Sequence, residues 1–160
     1  MAGLIVKGRA PLRAGLAAAC LVAACAAAAN GPGASRSQMV WQRVAVVAAP
    51  DANQGMATRL DIVLVHDVAL MPRMPATAVQ WFDQRKALQS GAGRGLSVLS
   101  LQVPPGSTVA AVKLSPGASR AAGALVYAGL PPGSGPTAAP LAPHRCVRIM
   151  LTQQLVQQAC

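Results

Sequence analysis

Between Thr58 and Asp67 the chain alternates in character residue by residue. Leu60, Ile62 and Leu64 fall on one side, and Arg59, Asp61, Val63, Val65 and Asp67 on the other, the period of a strand that turns one face to a core. Shorter runs are strand candidates too. Val44 to Ala48 stops at Pro50-Asp51-Ala52-Asn53-Gln54-Gly55, a dense cluster of turn residues. Leu96 to Val103 sets Leu99, Leu101 and Val103 on one side and ends at Pro104-Pro105-Gly106. Val109 to Leu114 and Ala121 to Ala128 are separated by Ser115-Pro116-Gly117, and in Arg145 to Thr152 the residues Val147, Ile149 and Leu151 oppose Arg148 and Met150. A Pro/Gly-rich loop from Pro131 to Pro143 precedes that last run.

One stretch follows the helical period instead. Pro72 and Pro75 enforce a break, and Thr77 with Gln80 three residues on makes a capping-box arrangement. Ala78, Trp81, Phe82, Arg85 and Leu88 then fall at spacings of three and four, before Gly91, Gly93 and Gly95 end the helix. About six short strands with Pro/Gly turns and one inserted helix predict a mainly β fold, a small β-sandwich. Phe82 is expected to plug the helix onto the sandwich, with the edge of Trp81 exposed.

The first 25 residues carry a different signal. Lys7, Arg9 and Arg13 form a positive start, Ala14 to Ala24 is uninterruptedly apolar, and Leu21-Val22-Ala23-Ala24-Cys25 reads as a lipobox. Residues 1–24 are thus a lipoprotein signal peptide, and 25–38 a lipidated tether whose Cys25 thiol takes acyl chains such as palmitate. Residues 39–160 are the β-sandwich domain. A plain secretory signal would export the chain equally well, and Leu16-Ala17-Ala18-Ala19-Cys20 is a second, weaker lipobox. A membrane span needs about 20 apolar residues, more than this run offers. Ala26, not Asp, follows Cys25, which makes the periplasmic face of the outer membrane the default destination.

Charge and cysteine content sharpen that picture. The chain holds 14 Lys+Arg against 4 Asp+Glu; without Lys7, Arg9 and Arg13 the balance is 11 against 4, or +7. The basic residues are scattered singly, unlike the patches and arms that follow phosphate backbones, so nucleic acid is not expected. Anionic lipid headgroups or an acidic partner surface fit better. Cys20 leaves with the signal and Cys25 is used for lipid, so Cys146 and Cys160 remain to pair in an oxidising compartment. Whether Cys160 folds back onto Cys146 the sequence leaves open.

Little points to catalysis. His66 and His144 are the only histidines and lack metal-ligand spacing, and His66 beside Asp67 reads first as a strand-end residue near the surface. Asp51, Asp61, Asp67 and Asp83 are too few for an acid/base pair or a calcium cage without using nearly all of them. Ser90-Gly91-Ala92-Gly93-Arg94-Gly95 follows a helix and opens a strand, the wrong context for a phosphate loop. No enzyme activity, metal, cofactor or small-molecule substrate is expected.

From Arg43 to Leu130 the order of elements resembles the outer-membrane lipoproteins of the type VI secretion membrane complex, the TssJ family. The likeness lies in the lipobox and tether, Ala49-Pro50-Asp51-Ala52-Asn53 with Gly55 beyond, and the Leu60 to Val65 strand. It continues through a helix with Trp81-Phe82 and Leu88, the Val103-Pro104-Pro105-Gly106 strand exit and Ala124-Leu125-Val126-Tyr127-Ala128. The resemblance implies a transthyretin-like β-sandwich, fixed to the outer membrane by lipid, that binds the periplasmic domain of a large inner-membrane secretion protein. Its candidate contact segments are Pro50 to Met56, with Asp51, Asn53 and Gln54, and Val68 to Pro75, with Met71 and Met74; those two methionines equally suit packing under the helix. The competing expectation is a ligand- or cell-wall-binding lipoprotein using the neighbourhood of Asp61, His66 and Asp67.

Overall fold

Arg43–Ala48 (β1) pairs antiparallel with Thr108–Lys113 (β4) on one side and parallel with Cys146–Leu151 (β7) on the other. Leu155–Ala159 (β8) turns back antiparallel along β7, completing a sheet of order β4-β1-β7-β8. The second sheet is built on Thr58–Val65 (β2), flanked antiparallel by Leu96–Val103 (β3) and Gly123–Ala128 (β5), with the short Ala138–Pro140 (β6) beside β5. These elements belong to a computed structural model that describes residues 41–160. The residues read above as signal peptide and tether, Cys25 among them, lie outside the described residues.

The sandwich is held by the alternation read above. Val44, Val46 and Ala48 of β1 and Val147, Ile149 and Leu151 of β7 meet Leu60, Ile62, Leu64, Val126 and Ala128 in one buried cluster. Fully burying an aliphatic side chain of this size is worth about 1.5–3 kcal/mol, which is why the strand faces set the layers.

The outer face of the second sheet is also buried. Ala78–Ala92 (α1) lies over it, and Val63, Val65, Trp81 and Tyr127 form a second cluster with Leu70, Met71, Met74, Phe82 and Leu88 packed around. Alternation alone predicts a single buried face for β2. In fact Asp61, Val63 and Val65 are buried as well, because a strand beneath a helix is covered on both sides. The Thr77 side chain accepts from the Gln80 N–H (3.3 Å), starting α1 as an N-cap.

Other expectations need correction. β2 stops at Val65 instead of Asp67, since the Asp67 carboxylate accepts from the Ala69 N–H (2.9 Å) and opens a 3-10 turn over Val68–Arg73. There are eight strands among the described residues, two more than expected. β6 escaped notice because it is three residues ending in Pro140. β8 is hard to read because of its core-facing positions only Leu155 is large and apolar; the next, Gln157, is polar, and its amide bonds the Ala142 N–H (2.8 Å) and the Pro140 carbonyl (2.9 Å). The two aromatics of α1 are exchanged relative to expectation: Trp81 is the fully buried plug and Phe82 is only partly buried. Trp81 wins that place because its indole both stacks on Tyr127 (centroids 4.9 Å, planes 9° apart) and donates to buried Asp61 (2.8 Å). Phe82 instead lies under the Arg59 guanidinium, 4.2 Å from its ring centre.

Candidate docking surface

The chain makes four turns at one end of the sandwich. Thr58 is in register with Val103, Leu60 with Ala128 and Ala48 with Leu151, so the end of β1, the start of β2 and the ends of β3, β5 and β7 come together. The Ala49 N–H donates to the Leu151 carbonyl (2.8 Å) and the Gly106 N–H to the Ala49 carbonyl (3.1 Å). Gly106 sits at φ +68, a left-handed conformation that glycine adopts without strain, while the space toward Pro50 would admit a Cβ at 3.8 Å.

Within this end the β1–β2 connection has an unusual backbone. Asn53 (φ 50, ψ 39) and Gln54 (φ 56, ψ 36) are both left-handed, followed by Gly55 at φ 78. Asn tolerates this region, and glutamine is there at a cost of order 1–3 kcal/mol. What holds the turn is Asn53: it is buried, its Nδ2 donates to the Ala57 carbonyl (3.0 Å), and its own carbonyl accepts from the Met56 N–H (3.0 Å). Asp51 and Gln54 are left exposed, and so is Met56.

Across from this turn stand Pro131, Pro132, Gly133, Ser134, Gln153 and Gln154, which with Asp51, Asn53 and Gln54 enclose a groove of about 410 Å³. Asp51 is its only charged lining residue. The groove offers one carboxylate, several amides and proline faces, a surface suited to a polar segment of chain. The walls from 131–134 and 153–154 lie outside the contact segments expected from the sequence. The signal for the first was the Pro131-Pro132-Gly133 turn; the second had only its polar run of glutamines.

Met71 and Met74 are elsewhere. β2 runs from the groove end to the opposite end, and the Val68–Arg73 turn follows it there. Met71 packs over Gly123, where an added Cβ would sit 2.8 Å from its sulfur. Met74 lines a separate, smaller groove of about 250 Å³ with Leu70, Leu88 and Leu96. The structure therefore brings Asp51, Asn53 and Gln54 together and keeps both methionines apart from them.

Asp61, His66 and Asp67 are each engaged with different partners. Asp61 is buried with its Oδ2 accepting from Trp81 and from Arg85 (3.0 Å), His66 Nε2 meets the Ser97 hydroxyl (2.9 Å), and Asp67 caps its turn. No three His, Cys, Asp or Glu side chains gather for a metal ion among the described residues, and no described helix is long and apolar enough to cross a membrane. At the end opposite the groove Cys146 and Cys160 are joined in a disulfide, with Cα atoms 5.4 Å apart, and the Cys160 N–H donates to the Cys146 carbonyl.

No protein-family model matches the chain, and no curated protein matches it in sequence. Solved structures do. The type VI secretion lipoprotein TssJ1 from Pseudomonas aeruginosa aligns over 74% of this chain and 98% of its own, with a TM-score of 0.50 and 17% identity. Serratia marcescens Lip, a membrane-bound component of the type VI secretion system, aligns over 73% and 97% with a TM-score of 0.50 and 14% identity. A chain of a type VI membrane complex aligns over 74% and 96% with a TM-score of 0.52 and 15% identity. The aligned share is larger than the stretch 43–130 on which the sequence resemblance rests, so the likeness reaches beyond it. The chain has the β-sandwich fold of these type VI secretion lipoproteins, the fold that its resemblance to the TssJ family implied.

Proposed function

We propose that this protein is the outer-membrane lipoprotein of a type VI secretion membrane complex and acts as a structural docking part instead of an enzyme. The observation that carries the reading is the fold likeness over 96–98% of the neighbouring chains, reached independently of the lipobox and element order in the sequence. Lipid on Cys25 supplies retention: one acyl chain binds a bilayer marginally, and the several chains of a mature bacterial lipoprotein bind it stably. The rigid sandwich supplies a platform for loops that meet a partner.

The partner in this reading is the periplasmic domain of a large inner-membrane secretion protein, and the contact is the groove beside Asp51 and Gln54. Trp41, where the described chain begins, leads into the start of β1, and the groove stands at the other end of that strand. A tether joined at the first end leaves the second free to face away from its anchor.

A photo-crosslinking residue at Gln54 in living cells tests this. It should capture a large inner-membrane protein, while the same residue at Val79, exposed on α1, should capture much less. Equal capture at both, or none at Gln54, would contradict the assignment of the groove.

A further inference from the structure

The sheet β4-β1-β7-β8 has a one-sided charge. On its face turned away from the core stand Arg43, Lys113 and Arg148: Arg43 is in register with Lys113 and with Cys146, and Arg148 with Ala45. All three are exposed, as are Arg120 and Arg145 in the loops at the Arg43 end. Arg145 is held there by its carbonyl, which accepts from the Gln42 and Arg43 N–H groups (2.9 and 3.1 Å).

No strand of this sheet contains Asp or Glu. The four side-chain carboxylates lie elsewhere: Asp51 in the groove, Asp61 buried against Trp81, Asp67 capping the turn after β2, and Asp83 on α1. The one ion pair among the described residues is Arg85 with Asp61, so none of these five basic residues has a carboxylate partner there.

We propose that this basic face is a contact surface for anionic phospholipid headgroups, which turns the β4-β1-β7-β8 sheet toward the membrane and α1 away from it. The inference rests on the lipid-anchoring reading above. The choice of occupant follows from connectivity and sign. From Cys25 to Trp41 the chain can span at most about 55 Å when fully extended, so an acylated protein keeps this face within reach of the bilayer. Basic side chains close to an anionic leaflet are attracted within a Debye length, about 8 Å at physiological salt, and guanidinium forks match phosphate oxygens in pairs. A second copy presenting the same face would be repelled.

Two lysines allow a direct test, because apart from Lys7 in the signal the chain has only Lys86, on α1, and Lys113, on the basic face. The mature acylated protein is added to preformed vesicles of phosphatidylcholine, or of phosphatidylcholine and phosphatidylglycerol in equal parts. Flotation and intact mass establish anchoring, and a brief amine-reactive pulse is read by mass spectrometry. Labelling of Lys113 should fall at least about threefold on the phosphatidylglycerol vesicles and recover near ~1 M salt, with Lys86 unchanged. The double variant Arg43→Glu/Arg148→Glu should restore Lys113 labelling while still floating. Flotation with equal Lys113 labelling on both vesicles would overturn the inference and leave the anchoring reading intact. Protection that needs an added acidic protein would overturn it in favour of a protein partner. Absence of acyl mass on Cys25, or failure to float with either vesicle, would overturn the anchoring reading and this inference together.

Discussion

Asp61 concentrates the demands that single residues place on this fold. It is a fully buried carboxylate whose Oδ2 is shared by the Trp81 indole and the Arg85 guanidinium, while its Oδ1 has no hydrogen-bond partner among the described residues. Burying a charge is costly unless it is paired, so the residues that pair it are committed to structure. Trp81→Ala removes the plug, the stack on Tyr127 and one of those two donors, and should lower stability by about 3–5 kcal/mol. Phe82→Ala loses a partly buried ring and one cation–π contact and should cost about 1–2 kcal/mol. Urea denaturation of the two variants checks the order, and equal losses would contradict it. The sequence placed both aromatics on the buried stripe of α1 but reversed their depths, because the partners that decide depth, Asp61 and Tyr127, come from strands distant in the chain.

Tyr127 adds a pH dependence at the same scale. It is buried, its hydroxyl donates to the Pro75 carbonyl (2.9 Å), and burial pushes its pKa up from 10.0 to about 12. A group that ionises more readily in the unfolded chain contributes stability in full below the unfolded pKa and loses it as pH rises through the folded one. Stability should therefore fall between pH 10 and about 12. As the chain has one tyrosine, tyrosinate absorbance followed alongside unfolding reads this without overlap from another. A phenol titrating near 10 in the folded protein would contradict its burial.

At the scale of elements, alternation made β2, β3 and β7 legible, a β-prone run ended by turn residues made β1 legible, and the Thr77 cap with its helical stripe made α1 legible. β2 also shows where the pattern misleads: Val63 and Val65 sat on the side assigned to solvent, and only the helix above explains why valines are there. β8 carried too weak a pattern to be read, and its attachment depends on tertiary bonds. It is held by pairing to β7, by the Gln157 amide and by the Cys146–Cys160 disulfide, which closes a loop with a sequence separation of 14. For a loop of about 15 residues such a link is worth about 3 kcal/mol. Reduction, or the double variant Cys146→Ser/Cys160→Ser, should lower the urea midpoint accordingly and speed amide exchange in 155–159 first. An unchanged midpoint would mean that the β-ladder and Gln157 hold β8 unaided.

Taken as a whole, the molecule has two unlike ends and two unlike faces. One end gathers the groove of Asp51, Gln54 and the 131–134 turn; the other receives the chain at Trp41 beside the disulfide. One outer face lies under α1, and the other presents Arg43, Lys113 and Arg148. The β1–β2 turn was legible in sequence because it is a contiguous run. The groove was legible on one wall only, since its other walls come from 131–134 and 153–154 and are brought opposite Asp51 by the return of β5 and β7. Such an arrangement fits a lipoprotein tethered at the Trp41 end and resting on its basic face, with the groove end left free for a partner. Affinity isolation of the full-length protein from detergent-solubilised envelopes, with bound proteins identified by mass spectrometry, tests that claim most directly. The account predicts recovery of a large inner-membrane protein with a periplasmic domain, lost when Pro50 to Met56 is replaced by a Gly/Ser segment of equal length. Recovery of no such protein, or recovery unaffected by the replacement, would contradict it.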